Sequence, residues 1–387
     1  MLVPSDLASV CSWRFKGILY STMKIAIVIS HPFELWFNQY VFQELSREFG
    51  ADSITLILVS GQGNSLEYSS IVSELYGSKV SIMHLGNVKI SKSLKLIGAT
   101  FCEKTKIERR LAHHFSKGEA TVIMHDKSRL TSRIIASHFK KVILIQDQDS
   151  ETYLREKNFH YSLALKETLR DYFFSGILGV SPNKIYRIKD TNSTVHVKNE
   201  MKRAKVVYRS GPWIAGKSIC INERRSISNS ESKEGTILLL GFRFTFWDWM
   251  TDDLLKQILV KIEEYLGIYP DYEVLYLPHP QESGEEFRLI KKAITRKMRN
   301  IGKGVPAEIV LERVRSIKVC IGFGSTALSS AQSLGVLTLS IFQDIDCPPG
   351  VKIIYDSILN RNFIKEYPIS TDMQSLINAV KQHKKTF

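Results

Sequence analysis

The sequence predicts an α/β fold in two halves with a cleft between them. Three observations carry that prediction. Short apolar runs of strand type alternate with helical spacings through residues 23–222 and again through 236–370, which is the pattern of a parallel sheet covered by helices. A polar, turn-rich stretch, Glu223–Gly235, separates the two runs and reads as a linker. Finally, Val274-Leu275-Tyr276-Leu277 runs straight into Pro278-His279-Pro280. Proline cannot continue a central ladder, so a strand must stop there. His279 is then held on a rigid turn at a strand's carboxyl end, where open parallel sheets place their ligands.

Residues 1–22 stand apart as a leader. They contain Arg14 and Lys16 but no apolar core, which makes a poor signal peptide. Either Met23 is the true start or 1–22 is a disordered extension. Met23–Ser30 is a typical first strand, followed by helical spacing over Leu35–Phe49. Ile54–Val59 is a second strand, and Lys79–Leu85 and Ala120–Met124 are shorter ones, with a basic helix Lys104–Phe115 between them. Lys141–Ile145 is the next strong strand, Asn158–Gly179 reads as a helix, and 180–220 is mixed, with a basic segment Lys198–Arg209.

Beyond the linker, Thr236–Leu240 is a strand ending at Gly241. Thr251 suits an N-cap, with Asp252 and Asp253 in the first turn of a helix over Leu254–Leu266. Tyr272–Leu277 is a strand and Glu285–Met298 a basic amphipathic helix. Two apolar runs, Ile309–Val314 and Ile317–Ile321, lead to a Gly/Ser turn and a helix Ala327–Leu334. Val336–Ile341 is another strand, and Asp372–Lys384 is the last helix. The expected divisions are a leader 1–22, an N-terminal domain 23–222, a linker 223–235, a C-terminal domain 236–370 and a C-terminal helix 371–387.

The chain of 387 residues is long enough for two or three domains, and its 44% apolar content is enough for real cores. A formal net charge of +14 favours anionic partners: nucleotide phosphates, anionic glycans, phospholipid or nucleic acid. No helix-turn-helix, zinc module or ribonucleoprotein motif is present, which argues against nucleic acid. The five cysteines are scattered with no Cys-x-x-Cys pair, so neither a zinc site nor a disulfide framework is indicated, and a reducing cytoplasm fits. No apolar run is long enough to span a bilayer. The basic helices at 104–115 and 285–298 offer faces for peripheral docking on the inner membrane or on an anionic polymer.

Five stretches could carry chemistry. His279 is the first. The second is Ile321–Ala331, where a strand ends in a Gly324-Ser325-Thr326 turn and a helix begins; backbone N–H groups and the two hydroxyls make an anion pocket. It is not a Walker loop, lacking Gly-Lys-Ser/Thr. The third is Gln146–Tyr153, directly after a strand, where Asp147 or Asp149 could serve as general base. Asp-x-Asp could alternatively hold a divalent ion through phosphate oxygens. The fourth is Gly241–Trp249, aromatics suited to stacking or to an interdomain seam, with Arg243 and Asp248 as a reserve carboxylate. The fifth is Ser30–Trp36, with His31 on the acceptor side of the cleft.

Leu275-Tyr276-Leu277-Pro278-His279-Pro280, followed by Gly324-Ser325-Thr326-Ala327-Leu328, resembles the bacterial sialyltransferases, including the polysialyltransferases of capsule synthesis. Those enzymes pair a His-Pro motif with a later Ser/Thr pair and carry an acidic motif after an N-terminal strand. Here Gln146 replaces one acid of that motif and Gln148 its glycine, so Asp147 and Asp149 both stand as the base. The resemblance implies a GT-B-like fold of two Rossmann-like domains facing a central cleft, an N-terminal acceptor domain and a C-terminal nucleotide-sugar domain. It implies an inverting transfer of sialic acid from CMP-sialic acid to a glycan or glycolipid acceptor, of capsule or lipooligosaccharide type, with no metal and no cofactor. Asp147 or Asp149 would deprotonate the acceptor, His279 would sit at the donor phosphate as acid or charge stabiliser, and Pro280, Gly324, Ser325 and Thr326 would line the donor site. CDP-glycerol transferases of wall-polymer synthesis share the layout and are the alternative, as is a non-enzymatic polyanion-binding protein.

Overall fold

A computed structural model describes residues 23–30, 32–60, 68–88, 97–115, 120–125, 130–145, 161–182, 184–188, 194–197, 204–208, 235–244, 250–280, 282–302, 304–323, 325–348 and 376–381. The leader 1–22 and nearly all of the linker, 223–234, lie outside them.

The first half is built on strands β1 (Ile25–Ile29), β2 (Ile54–Ser60), β3 (Ser81–Gly86), β4 (Thr121–Met124), β5 (Lys141–Ile145) and, after an insertion, β9 (Ala204–Tyr208). They form one sheet in the order β3-β2-β1-β4-β5-β9, and every pair is parallel. Helices α1 (Pro32–Phe49), α2 (Tyr68–Tyr76), α3 (Ile97–His114) and α4 (Leu130–His138) form the crossovers. β1 and β4 are buried along their whole length, as strands covered on both faces must be. Ile25, Ile27 and Ile29 join the core under α1 and α2, while Ala26 and Val28 join the core under α3 and α4. That split is the period-two geometry of a strand.

The second half repeats the plan. Strands β10 (Thr236–Leu240), β11 (Glu273–Leu277), β12 (Met298–Asn300), β13 (Ile317–Gly322) and β14 (Leu337–Ser340) run in the order β12-β11-β10-β13-β14, all parallel. Ile237 and Leu239 face one core and Leu238 and Leu240 the other. The expected two-unit α/β architecture is therefore what the chain adopts. Residues 376–381, helical as expected, pack Leu376, Ala379 and Val380 into the core of the first sheet, and Lys141 Nζ donates to the carbonyls of Ala379 and Val380. Residues 376–381 thus belong with the first half.

Two expectations need correction, and one run without an assignment gains one. Asn158–Gly179 is not one helix: Tyr161–Leu163 is strand β6, paired antiparallel to β7 (Lys184–Ile188), which pairs in turn to β8 (Thr194–Val197), and only Leu165–Leu178 is helical (α5). Cross-strand pairing overrides local helical spacing there. The helix from 284 stops early: α7 (Gly284–Ala293) has a Ser283/Glu286 capping box, but Met298–Asn300 is recruited as an edge strand beside Val274–Tyr276. Of the two runs before the Gly/Ser turn, the second is strand but the first is helix α8 (Ala307–Arg313), buried from Ala307 to Leu311. Periodicity cannot distinguish a short, fully buried helix from a strand. The second half also has α6 (Asp252–Ile268), α9 (Thr326–Ser333) and a short helix over Ile341–Asp344. Thr251 caps α6 as expected, its side chain accepting from Leu254 N. α8 also touches the first half: Ile309 lies in its core, and Arg313 pairs with Glu74 of α2 at 2.8 Å.

Candidate active site

In the second sheet the chain leaves β10 toward β11 on one side, and β13 lies on the other. Such a reversal opens a crevice at the carboxyl ends of the two central strands. The loops after β10, β11 and β13 border it. They carry Gly241 to Phe244, Pro278 to Pro280, and Phe323 with Ser325.

The turn after β11 is clamped from below. Glu282 is 2% exposed, and its Oε2 accepts from the Tyr276 hydroxyl at 2.7 Å and from the His279 backbone N–H at 3.1 Å. Glu282 N closes the turn by donating to His279 O at 2.9 Å. Gly241 N donates to Leu277 O at 2.7 Å, tying the ends of β10 and β11 together. A Cβ on Gly241 would sit 2.6 Å from His279 N and 2.8 Å from the Tyr276 hydroxyl, and closer still to Glu282 Oε2. Only glycine allows this approach. Burial, then the Glu282 charge, push the Tyr276 hydroxyl far above its ordinary range, so it stays a donor.

The His279 side chain is half-buried. Burial lowers its pKa below the ordinary histidine value, and Arg243 lowers it further, with Glu286 opposing. Without a ligand the imidazole is therefore biased toward the neutral form. An anion arriving beside it would reverse that bias. Arg243, on the loop after β10, is a cation near enough to act on it.

Ser325 is exposed and caps α9, its Oγ accepting from Ala327 N at 3.2 Å. The O–H of the same side chain keeps its donor role. Thr326 is the first residue of the helix, and Gly324 lies outside the described residues. One turn along α9, Ser330 Oγ donates to Glu308 Oε1 of α8 at 3.1 Å. Glu308 is buried, which pushes its carboxyl up to about 7. The helix bearing the Ser/Thr pair is thereby fastened to α8.

Phe242 and Phe244 are core residues. Phe242 stacks on Phe323 with centroids 4.7 Å apart and meets Phe342 edge-on at 5.3 Å. Neither serves for stacking on a sugar or as an interdomain seam, because both are consumed by the hydrophobic interior of the second half. Asp248 and the tryptophans beside it lie outside the described residues.

In the first sheet the equivalent reversal lies between β1 and β4. Buried polar side chains gather there. Glu34 accepts from the Ser30 backbone N–H at 2.5 Å and from its hydroxyl at 3.2 Å. His125, at the end of β4, has Nε2 2.9 Å from Asn38 Oδ1. Both histidine and asparagine are almost fully buried, which makes them supports rather than contacts. His31, Asp147 and Asp149 lie outside the described residues; β5, which precedes the two aspartates, ends on this same edge at Ile145.

The sequence reading missed Glu282, Tyr276, Glu308 and His125. His125 carried the signal that marked His279, a histidine directly after an apolar strand. Glu282 carried none, since one acid near a helix start is ordinary.

The alpha-2,8-polysialyltransferase (POLYST) family matches residues 214–335, which takes in Gly241, His279, Glu282 and Ser325. No curated protein matches the chain. Among solved structures, a Listeria monocytogenes protein assigned as a UDP-N-acetylglucosamine 2-epimerase superposes with a TM-score of 0.50 at 12% identity, over 95% of this chain and 97% of that one. The UDP-GlcNAc 2-epimerase of Neisseria meningitidis gives 0.47 at 14% identity, over 93% and 100%. At 12% identity the likeness to the Listeria protein is one of fold. The chain is GT-B-like in architecture, and through its second half it resembles the bacterial polysialyltransferases.

Proposed function

We propose that the chain is a glycosyltransferase of the sialyltransferase or polysialyltransferase type, moving sialic acid from CMP-sialic acid to a glycan or glycolipid acceptor. The observation that carries this reading is the clamped His279 turn and the Ser325 cap, both on the carboxyl edge of one Rossmann-like sheet, on either side of β10, and inside the matched residues. Ser325, Thr326 and the start of α9 hold the donor phosphate, with Pro280 and Gly324 lining it. Arg243 and His279 face the same negative charge, which draws a proton onto the imidazole. The acceptor hydroxyl loses its proton to a carboxylate of the first half, Asp147 or Asp149. Its oxygen forms the new bond to the anomeric carbon, the bond from that carbon to the phosphate oxygen breaks, and the electron pair leaves with CMP. Configuration inverts. A hydrogen bond aimed at the developing phosphate charge is typically worth about 3–4 kcal/mol of barrier. Glu282 and Tyr276 act through His279 as positioning residues. No metal takes part in this scheme, and the reaction belongs to the cytoplasm, with peripheral association at the cytoplasmic membrane.

The test is thermal stability with CMP, CDP, UDP and GDP, with and without EDTA, followed by CMP-sialic acid turnover. Stabilisation by CMP that EDTA leaves intact, with release of CMP from the sugar donor, is the expected result. Stabilisation by CDP with turnover of CDP-glycerol moves the chain to the wall-polymer transferases. A UDP or GDP effect abolished by EDTA makes Asp147 and Asp149 a metal site. No nucleotide effect together with salt-dependent polyanion binding removes the enzyme reading.

A further inference from the structure

We propose that helix α5 docks the protein onto an anionic phospholipid surface through an exposed apolar face. The proposal rests on the peripheral-membrane part of the reading above and on nothing in the donor site. α5 departs from the usual amphipathic pattern, with apolar side chains on its outer face as well as its inner one. A surface helix ordinarily buries its apolar stripe and turns charges to water. Here Thr168, Asp171 and Ser175 are buried beside Phe174 and Leu178, whereas Leu165, Leu169, Tyr172, Phe173 and Ile177 are exposed. Leu169 and Phe173 keep 60% and 54% of their surface accessible. Among the described residues eleven large apolar side chains stand exposed, and six of them are these five and Leu163 of the adjoining β6. The other five are spread over α3 and the second half.

This orientation is fixed by specific bonds. Arg133 of α4, itself buried, grips Asp171 with both terminal nitrogens, at 2.9 and 3.0 Å, and donates to Ser175 Oγ and Ser181 O at 2.8 Å. Thr168 Oγ accepts from Ile185 N at 3.0 Å and donates to Ile185 O at 3.2 Å. Rolling the helix to hide its leucines would strand a buried ion pair, which is far costlier than exposing apolar surface. The apolar face therefore stays outward.

A contiguous apolar face of this kind marks an interaction surface. Its charges select the occupant. At 100° per residue, Lys166 falls between Phe173 and Ile177 and Arg170 just beyond Ile177, at one edge of the apolar sector, and both are exposed. A second copy seated on this face would bring two such borders, and two chains of net charge +14, against each other. An anionic bilayer attracts both cations and the whole protein, while the leucines and aromatics enter the headgroup boundary.

The test is co-sedimentation of the full chain with vesicles of phosphatidylethanolamine and phosphatidylglycerol, against vesicles of phosphatidylcholine alone. The wild type should partition onto the phosphatidylglycerol vesicles. The double variant Leu169→Gln, Phe173→Gln should partition at least about tenfold more weakly, since each side chain forfeits its burial, with an unchanged Tm. Lys166→Gln with Arg170→Gln should lose the preference for phosphatidylglycerol. Equal partitioning of the Leu169/Phe173 variant and wild type, or wild type that ignores both vesicle types, overturns the proposal. So does a dimer in sedimentation velocity that the double variant dissolves, because the face then belongs to a second copy. Donor turnover with a soluble acceptor, measured without vesicles, should not change in the double variant. Loss of all turnover in wild type that still binds vesicles would sink the transferase reading alone.

Discussion

Glu282 holds His279 by its backbone, not by its ring: one carboxylate oxygen accepts both the His279 N–H and the Tyr276 hydroxyl, and the residue is almost fully buried. The imidazole therefore projects from a turn fixed on both sides, by proline in the sequence and by an acid beneath it. Misplacing a reacting group by about 1 Å can cost on the order of a hundredfold in rate. Glu282→Ala is expected to lower kcat by about ten- to a hundredfold with little change in KM, and to destabilise the fold by about 1–3 kcal/mol through the unsatisfied donors. Glu282→Gln, which keeps an acceptor oxygen, should recover most of both losses. A Glu282→Ala enzyme with normal kcat would show that the turn holds itself.

Gly241 is the point where two strand ends touch. Its missing side chain makes room for His279 N and the Tyr276 hydroxyl. Gly241→Ala must push the turn outward, at a cost of about 1–3 kcal/mol. Calorimetry should show Tm lowered by several degrees, and the stabilisation by CMP should fall in the same variant. Equal Tm and equal CMP response would mean the turn yields without cost.

Glu308 gives a pH signature with a definite sign. Its carboxyl stays protonated up to about 7 when folded, against an ordinary value of 4.5. Between those two values the folded state holds the extra proton, so stability is lost as pH rises from 4.5 through 7. Glu308→Gln keeps an acceptor for Ser330 and removes the titration. The variant should gain on wild type by up to the order of 2–3 kcal/mol at pH 8 and show no advantage near pH 4.5. Urea unfolding at the two pH values measures this. His279 acts oppositely: its lowered value makes stability fall as pH drops through and below the ordinary histidine range.

How far the site was legible depends on what each residue leaves in the sequence. The strand before His279 announces itself as an apolar run stopped by proline, and the Ser325 cap as a Gly/Ser turn before a helix. Both signals are local, so both were read. The Glu282 clamp is created by packing, when β10 and β11 bring Gly241 against the turn, and no spacing encodes it. Phe242 misled for the same reason: an aromatic beside an arginine looks like a ligand platform until Phe323 and Phe342 enclose it. At 161–163 and 298–300 strand formation depends on a partner elsewhere in the chain. α8, buried against both halves, erases the amphipathic pattern by which helices are recognised.

The division of labour between the two halves gives the last prediction. If His279 stabilises the departing phosphate and Asp147 takes the acceptor proton, His279→Ala and Asp147→Ala should each lower turnover by about a hundredfold or more. Tm should change little, because the His279 ring makes no part of the Glu282 clamp. The two variants should differ in one respect. Hydrolysis of the donor to CMP and free sugar, which needs the leaving group but not the acceptor oxygen, should fall much further in His279→Ala than in Asp147→Ala. Asp149→Ala serves as the partner test: a larger loss of transfer there than in Asp147→Ala moves the base by two residues. Near-normal transfer by His279→Ala would remove the histidine from the chemistry and leave the donor phosphate to Arg243, the Ser325/Thr326 pair and the start of α9.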